Sequence, residues 1–193
     1  MADFLVVGLG NPEKEYGDTR HNFGFLVLDK LAQGMAVTFR HRSLLEAEVG
    51  VGELDSHVVA LAKPLTYMNL SGRAVAALVK FFQLREPRQL IIIHDDLDIP
   101  LGRIKIKSGG GAGGHKGVRS IIESLGTEEF LRIRLGIGLE ERPLDVVDYV
   151  LAPFAEEELD VVQRTLGEAS KAARMIIQEG LGPAMNFFHN RGN

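Results

Sequence analysis

The residues best suited to proton transfer and substrate positioning sit in short polar segments placed where hydrophobic runs stop. The run FLVVGL ends in Gly10-Asn11-Pro12 and leads within ten residues to Thr19-Arg20-His21-Asn22. LAKPLTYMNLSG ends at Met68-Asn69-Leu70-Ser71-Gly72, and LIII ends in His94-Asp95-Asp96. A histidine titrates near neutral pH and suits a general base. An isolated His before a helix reads more readily as a capping or packing residue. His21 is favoured as a base by Asp95, which follows a buried strand as an orienting carboxylate should, although Asp96 and Asp98 compete for that role. Asn11 and Asn69 donate and accept hydrogen bonds at once, which suits them to hold a water and a substrate carbonyl. Asn is also frequent in turns and at helix N-caps, and Asn69 is the stronger cap candidate.

The tract Gly109-Gly110-Gly111-Ala112-Gly113-Gly114, followed by His115 and Lys116, is too dense in glycine for a plain turn. It reads as a loop that admits a bulky substrate, with a flexible connector as the plain alternative. It is not a Walker A loop, because His115 precedes the lysine and no Ser or Thr follows it. Gly8-Leu9-Gly10-Asn11-Pro12-Glu13 fails as a dinucleotide motif. Glu13 stands where the third glycine is needed, and Pro12 lacks an N–H for the pyrophosphate. No Gly-x-Ser-x-Gly elbow and no His-x-x-x-His or His-Glu-x-x-His spacing occurs, so neither a serine nucleophile nor a metal is expected.

These residues need a frame, and the hydrophobic pattern supplies one. Strands are expected at 3–9, 46–52, 57–62, 89–94, 103–107 and 130–137. Helices are expected at 22–34 (with Asn22 as N-cap), 71–83, 116–125, 143–150, 155–179 and 181–189, and a loop near 139–143. Strands alternating with helices imply a single α/β domain over 1–193, a three-layer sandwich with a twisted, mostly parallel mixed sheet flanked by helices. In such sheets ligands sit outside the strand ends.

Composition narrows the class further. The 193 residues contain no Cys, which excludes disulfides and thiol nucleophiles and agrees with a reducing compartment. No apolar stretch approaches the roughly 20 residues that span a bilayer, and no basic leader precedes the first strand, so a cytoplasmic protein is expected. A net charge of −4 argues against a generic nucleic-acid binder. Yet residues 102–134 carry seven Lys or Arg against three acids, and residues 139–168 carry two Arg against nine acids. That asymmetry can give a local phosphate-binding face, or simply two solvated faces of opposite sign.

Four stretches resemble those of the bacterial-type peptidyl-tRNA hydrolase family: VGLGNPEKEYGDTRHNFGF (7–25), PLTYMNLSGRAV (64–75), HDDLDIPLGRIKIKSGGGAGGHKGVRSI (94–121) and RIRLGIG (132–138). The resemblance implies a monomeric, cofactor-independent enzyme that cleaves the ester between a peptide and the terminal ribose of tRNA, with no obligate protein partner. It implies that His21 is the base, that Asp95 orients it, and that Asn11 and Asn69 position substrate and water. Tyr16 matches an aromatic gate, and Met68 and His115 match other lining residues. Lys105, Lys107 and Arg134 match cations that meet the tRNA acceptor stem, and phosphates are expected near Arg132 and Lys116 as well. The chain departs from the family at Lys116, where Asn is usual, so a donor-only cation replaces an amide in the cleft. Lys116 stays assigned to substrate binding, reaching either a phosphate or a peptide carbonyl. The alternative function is a non-catalytic RNA-binding protein on the same fold.

Overall fold

Short runs of aliphatic and β-branched residues make the central strands, and their unbroken apolarity reflects burial on both faces. The computed structural model describes residues 1–139 and 143–189. In chain order the elements are β1 (Phe4–Gly8), α1 (Phe23–Gly34), β2 (Arg40–Arg42), β3 (Ala47–Leu54), β4 (His57–Pro64), α2 (Ser71–Phe82) and β5 (Leu90–Pro100). Then follow β6 (Ile104–Ser108), α3 (Lys116–Leu125), β7 (Leu131–Gly138), α4 (Val146–Leu151), α5 (Leu159–Glu179) and α6 (Leu181–His189).

The seven strands form one sheet in the order β2-β3-β4-β1-β5-β7-β6. The four central strands, β4, β1, β5 and β7, run parallel. The outer pairings, β2 with β3, β3 with β4 and β6 with β7, are antiparallel. Period-2 alternation along each strand divides the core in two. Val6, Leu61, Ile91, Ile93 and Ile133 pack with Phe23 and Leu28 of α1, Ile176 of α5 and Phe188 of α6. Leu5, Val7, Ala60, Ala62 and Ile92 pack with Val75 and Leu78 of α2 and Val118 and Ile121 of α3. The result is the expected three-layer α/β sandwich around a mixed sheet. Each fully buried Leu, Ile or Val in it contributes roughly 1.5–3 kcal/mol relative to exposure.

Several elements differ from the sequence reading. The strand expected at 89–94 continues through the polar residues to Pro100, because Asp95 and Asp96 stay paired with Leu135 and Gly136 of β7 before the register shifts. Exposed β2 has no counterpart among the expected strands, since its residues Arg-His-Arg carry no apolar alternation. Asn22 does not cap α1 with its side chain, and Asn69 does not cap α2. Both lie in single 3-10 turns, Arg20–Asn22 and Met68–Leu70, that precede those helices. The expected loop at 139–143 falls mostly on residues 140–142, outside the described residues.

Candidate active site

Two close backbone approaches assemble the cleft. A Cβ on Gly24 would lie 2.4 Å from the carbonyl oxygen of Ile93, and one on Gly8 would lie 2.3 Å from that of Gly24. Only glycine at both positions lets the first turn of α1 run against β1 and β5, which brings His21 to Asp95. On the other face, a Cβ on Gly72 would lie 2.0 Å from the Ser120 carbonyl oxygen. The Gly72 N–H instead donates to Ser120 Oγ at 3.0 Å, setting the Met68–Leu70 turn beside the start of α3. The resulting cleft, about 500 Å³, is lined on its polar side by Asn11, His21, Asn69, Asp95, His115 and Lys116. Val146, Val147, Val150 and Leu151 of α4 form its apolar wall.

At the centre, Asp95 (2% exposed) accepts hydrogen bonds from two histidines. His21 Nδ1 lies 3.0 Å from each carboxylate oxygen, and His115 Nε2 lies 3.0 Å from Oδ1. The tautomers follow from the partners. The backbone N–H groups of Gly117 and Val118 donate to His115 Nδ1, so that nitrogen carries no proton and Nε2 carries it. His21 donates from Nδ1, which leaves the lone pair on its Nε2. His94 donates from Nδ1 to the carbonyl of Asp95 at 2.7 Å, while its Nε2 is buried without a partner among the described residues. The rings of His21 and His94 lie 4.9 and 4.8 Å from that of His115.

Burial and charge separate the titrations of these groups. Burial, the largest effect, pushes Asp95 toward the neutral acid, but the charges and hydrogen bonds of His21 and His115 together hold it well below the usual carboxylate range. For His21 burial also acts first and disfavours the cation. The charge and hydrogen bond of Asp95 outweigh it, Lys116 opposes them, and the net pKa is raised above 6.5. Burial, followed by the charge of His115, pushes His94 down to about 3, so it stays neutral.

Asn11 is fixed on both sides. Its side-chain Oδ1 accepts from the N–H of Met68 at 3.0 Å. Asn22, read from sequence as a cap, instead clamps the backbone of Asn11: Oδ1 accepts from its N–H at 2.8 Å and Nδ2 donates to its carbonyl at 2.9 Å. Asn11 Nδ2 and the exposed side chain of Asn69 have no hydrogen-bond partner among the described residues, so both are free to meet a ligand. Lys116 is exposed on the cleft and has no ion pair among the described residues. Met68 is buried in the lining. Tyr16 is not brought to the cleft lining. Tyr67 stands there instead, its hydroxyl donating to Glu13 at 2.7 Å.

The cations assigned to the acceptor stem share one patch. Cross-strand register sets Lys105 beside Arg134 and Lys107 beside Arg132. Lys105 is exposed, and Arg134 Nε donates to Asp96 at 2.8 Å. Arg132, expected to face phosphates, is 2% exposed. Its guanidinium donates to the carbonyls of Gly110 and Gly111 in the glycine loop. It is a tether for the loop.

His21, Asp95 and His115 place three potential ligand atoms within 4.8 Å of one another, a spacing that fits a cation. The tautomer argues against one. A metal needs the lone pair of His115 Nε2, which would put the proton on Nδ1, facing two N–H donors.

The lining includes no serine, threonine or cysteine among the described residues, and its histidine–carboxylate pair is an arrangement suited to activating water. The class is a hydrolase on an α/β sandwich with its cleft at the ends of parallel strands. A family model described as peptidyl-tRNA hydrolase matches residues 5–193, and the chain belongs to that family. A peptidyl-tRNA hydrolase of Citrifermentans bemidjiense is 49% identical over 99% of this chain and 100% of its own length. One of Thermus thermophilus is 48% identical over 96% of each. The crystal structure of peptidyl-tRNA hydrolase from Acinetobacter baumannii matches with a TM-score of 0.89 at 36% identity, covering 96% of this chain and 94% of that one.

Proposed function

We propose that this chain hydrolyses the ester joining a peptide, or an N-blocked amino acid, to the terminal ribose of tRNA, releasing tRNA for reuse in translation in the cytoplasm. His21 Nε2 takes a proton from water as the oxygen attacks the ester carbonyl. The imidazolium that forms is stabilised by the Asp95 carboxylate and returns its proton to the leaving ribose oxygen. Asn69 holds the attacking water. The free N–H of Asn11 Nδ2 donates to the oxyanion, an interaction worth roughly 2.7–4 kcal/mol. General-base catalysis contributes typically about 10²–10⁴-fold. The tetrahedral intermediate collapses to free acid and tRNA without a covalent enzyme intermediate or a cofactor.

The observation that carries this reading is the shared carboxylate. Asp95 directs the His21 proton to Nδ1, while the start of α3 keeps His115 in the opposite tautomer. His21 is therefore the histidine left with a free nitrogen lone pair facing the cleft. Lys105, Lys107 and Arg134 are assigned to phosphates of the acceptor stem, and Lys116 to the substrate within the cleft. A non-catalytic RNA binder is favoured by Lys116 in place of the family's usual Asn and by the basic segment, and opposed by the intact set of His21, Asp95, Asn11 and Asn69.

The test is hydrolysis of N-acetylated aminoacyl-tRNA and its unblocked counterpart by wild type and His21→Ala. Cleavage of the blocked ester, lost by at least about 100-fold in a folded variant that still binds tRNA, supports the assignment. Unchanged turnover removes His21 as the base. Absence of cleavage with tRNA still bound favours the RNA binder.

A further inference from the structure

Arg20 is the residue before the base in sequence, yet its side chain turns away from Asp95 into the last wall of the cleft. The guanidinium donates to the carbonyls of Ala152 and Pro153 at 3.3 and 2.6 Å and to Glu158 at 2.6 Å. It stacks 4.4 Å from the Tyr149 ring and 5.2 Å from that of Phe154. The Arg20 N–H also donates to the Ala152 carbonyl, and Thr19 bridges Pro153. Arg20 is only 7% exposed.

The segment it grips follows directly on α4. That helix has six residues, of which only Val150 is buried, too short to be stable by itself. Tyr149 anchors it to the sheet, its hydroxyl donating to the Ile137 carbonyl at 2.6 Å. The same helix presents Val146, Val147, Val150 and Leu151 to the cleft opposite His21. We propose that the Arg20–Glu158 pair is a positioning device that holds the apolar α4 wall against the His21 turn and so sets the grip on apolar side chains of the peptide. Glu158 is committed to the same joint, since its carboxylate also accepts from the Ala155 N–H at 2.7 Å. A lysine at position 20 keeps the charge but cannot serve two carbonyls and a carboxylate while also packing on the Tyr149 and Phe154 rings.

The inference rests on the proposed ester hydrolysis, and the experiment separates the two. Full-length wild type, Arg20→Lys, Glu158→Gln and Val147→Ser are compared on N-acetyl-leucyl-tRNA and N-acetyl-glycyl-tRNA, with kcat and KM determined separately. Wild type should prefer the leucyl ester. Arg20→Lys should lower that preference by about tenfold, mainly through KM, at the lower end of what one methylene discriminates in an apolar pocket. Glu158→Gln should shift it the same way by less, and Val147→Ser gives the scale of a direct lesion in the wall. Loss of folded protein alone would lower both esters equally, so an unaltered leucyl-to-glycyl ratio in folded Arg20→Lys overturns the proposal. If that variant does not fold, an unaltered ratio in Glu158→Gln overturns it. Failure of wild type to cleave either ester refutes the hydrolysis itself.

Discussion

Asp95→Asn is the sharpest perturbation of this site, because the surroundings dictate which way the amide must face. His115 cannot give up its Nε2 proton, since Nδ1 is held by the N–H groups of Gly117 and Val118. The amide oxygen must therefore turn to His115, and the amide NH₂ is left facing His21 Nδ1. That arrangement is favourable only when Nδ1 holds the lone pair, which moves the His21 proton to Nε2. The base is disabled by tautomer while every ring stays in place. The expected loss is the whole general-base contribution, about 10²–10⁴-fold in kcat/KM, or roughly 2.7–5.4 kcal/mol. The assay is hydrolysis of N-acetylated aminoacyl-tRNA beside a binding measurement with deacylated tRNA, whose Kd should not change. Removing the lock restores freedom: in Asp95→Asn/His115→Ala the amide can flip, and activity should recover by about tenfold over the single variant. A folded Asp95→Asn enzyme within about threefold of wild type, or a double variant no better than the single, would refute the reasoning.

The remaining predictions concern charge. His21 must be neutral to act, and its pKa is raised, so kcat/KM should fall with decreasing pH through an inflection above 6.5. Because the Lys116 charge opposes His21 protonation, Lys116→Asn should move that inflection upward; a pH–rate profile that stays put would uncouple the two residues. Lys105→Ala/Lys107→Ala should weaken tRNA binding and flatten its salt dependence by about 0.7–0.9 log units per log unit of salt for each phosphate no longer neutralised. An unaltered slope in a binding titration would place the RNA surface elsewhere.

The layers of this fold were legible because burial on both faces leaves an unmistakable apolar run, as in Leu5–Val7 and Ile91–Ile93. The polar interruptions marked Asn11, His21, Asn69 and Asp95, and the structure brings all four to one cleft. What escaped depends on pairing between distant segments. The continuation of β5 through Asp95 and Asp96 is held by β7, which no local pattern announces. Asn22 looked like a helix cap, yet its amide finds the backbone of Asn11, eleven residues earlier. Arg132 carried the charge of a phosphate ligand, and only its hydrogen bonds to the glycine loop show that its fork is already used. Tyr16 and Tyr67 could be sorted only once the backbone had placed one of them on the cleft. Arg20 lay in plain view beside His21, but its hydrogen-bond partners stand more than 130 residues away.

That separation has a consequence for the birth of the molecule. The wall at Val146–Leu151 and the carboxylate of Glu158 belong to the last quarter of a 193-residue chain, whereas His21 is made near its beginning. In chain order the base precedes the far side of its own cleft, so the cleft is complete only once the segments after β7 have packed against the His21 turn.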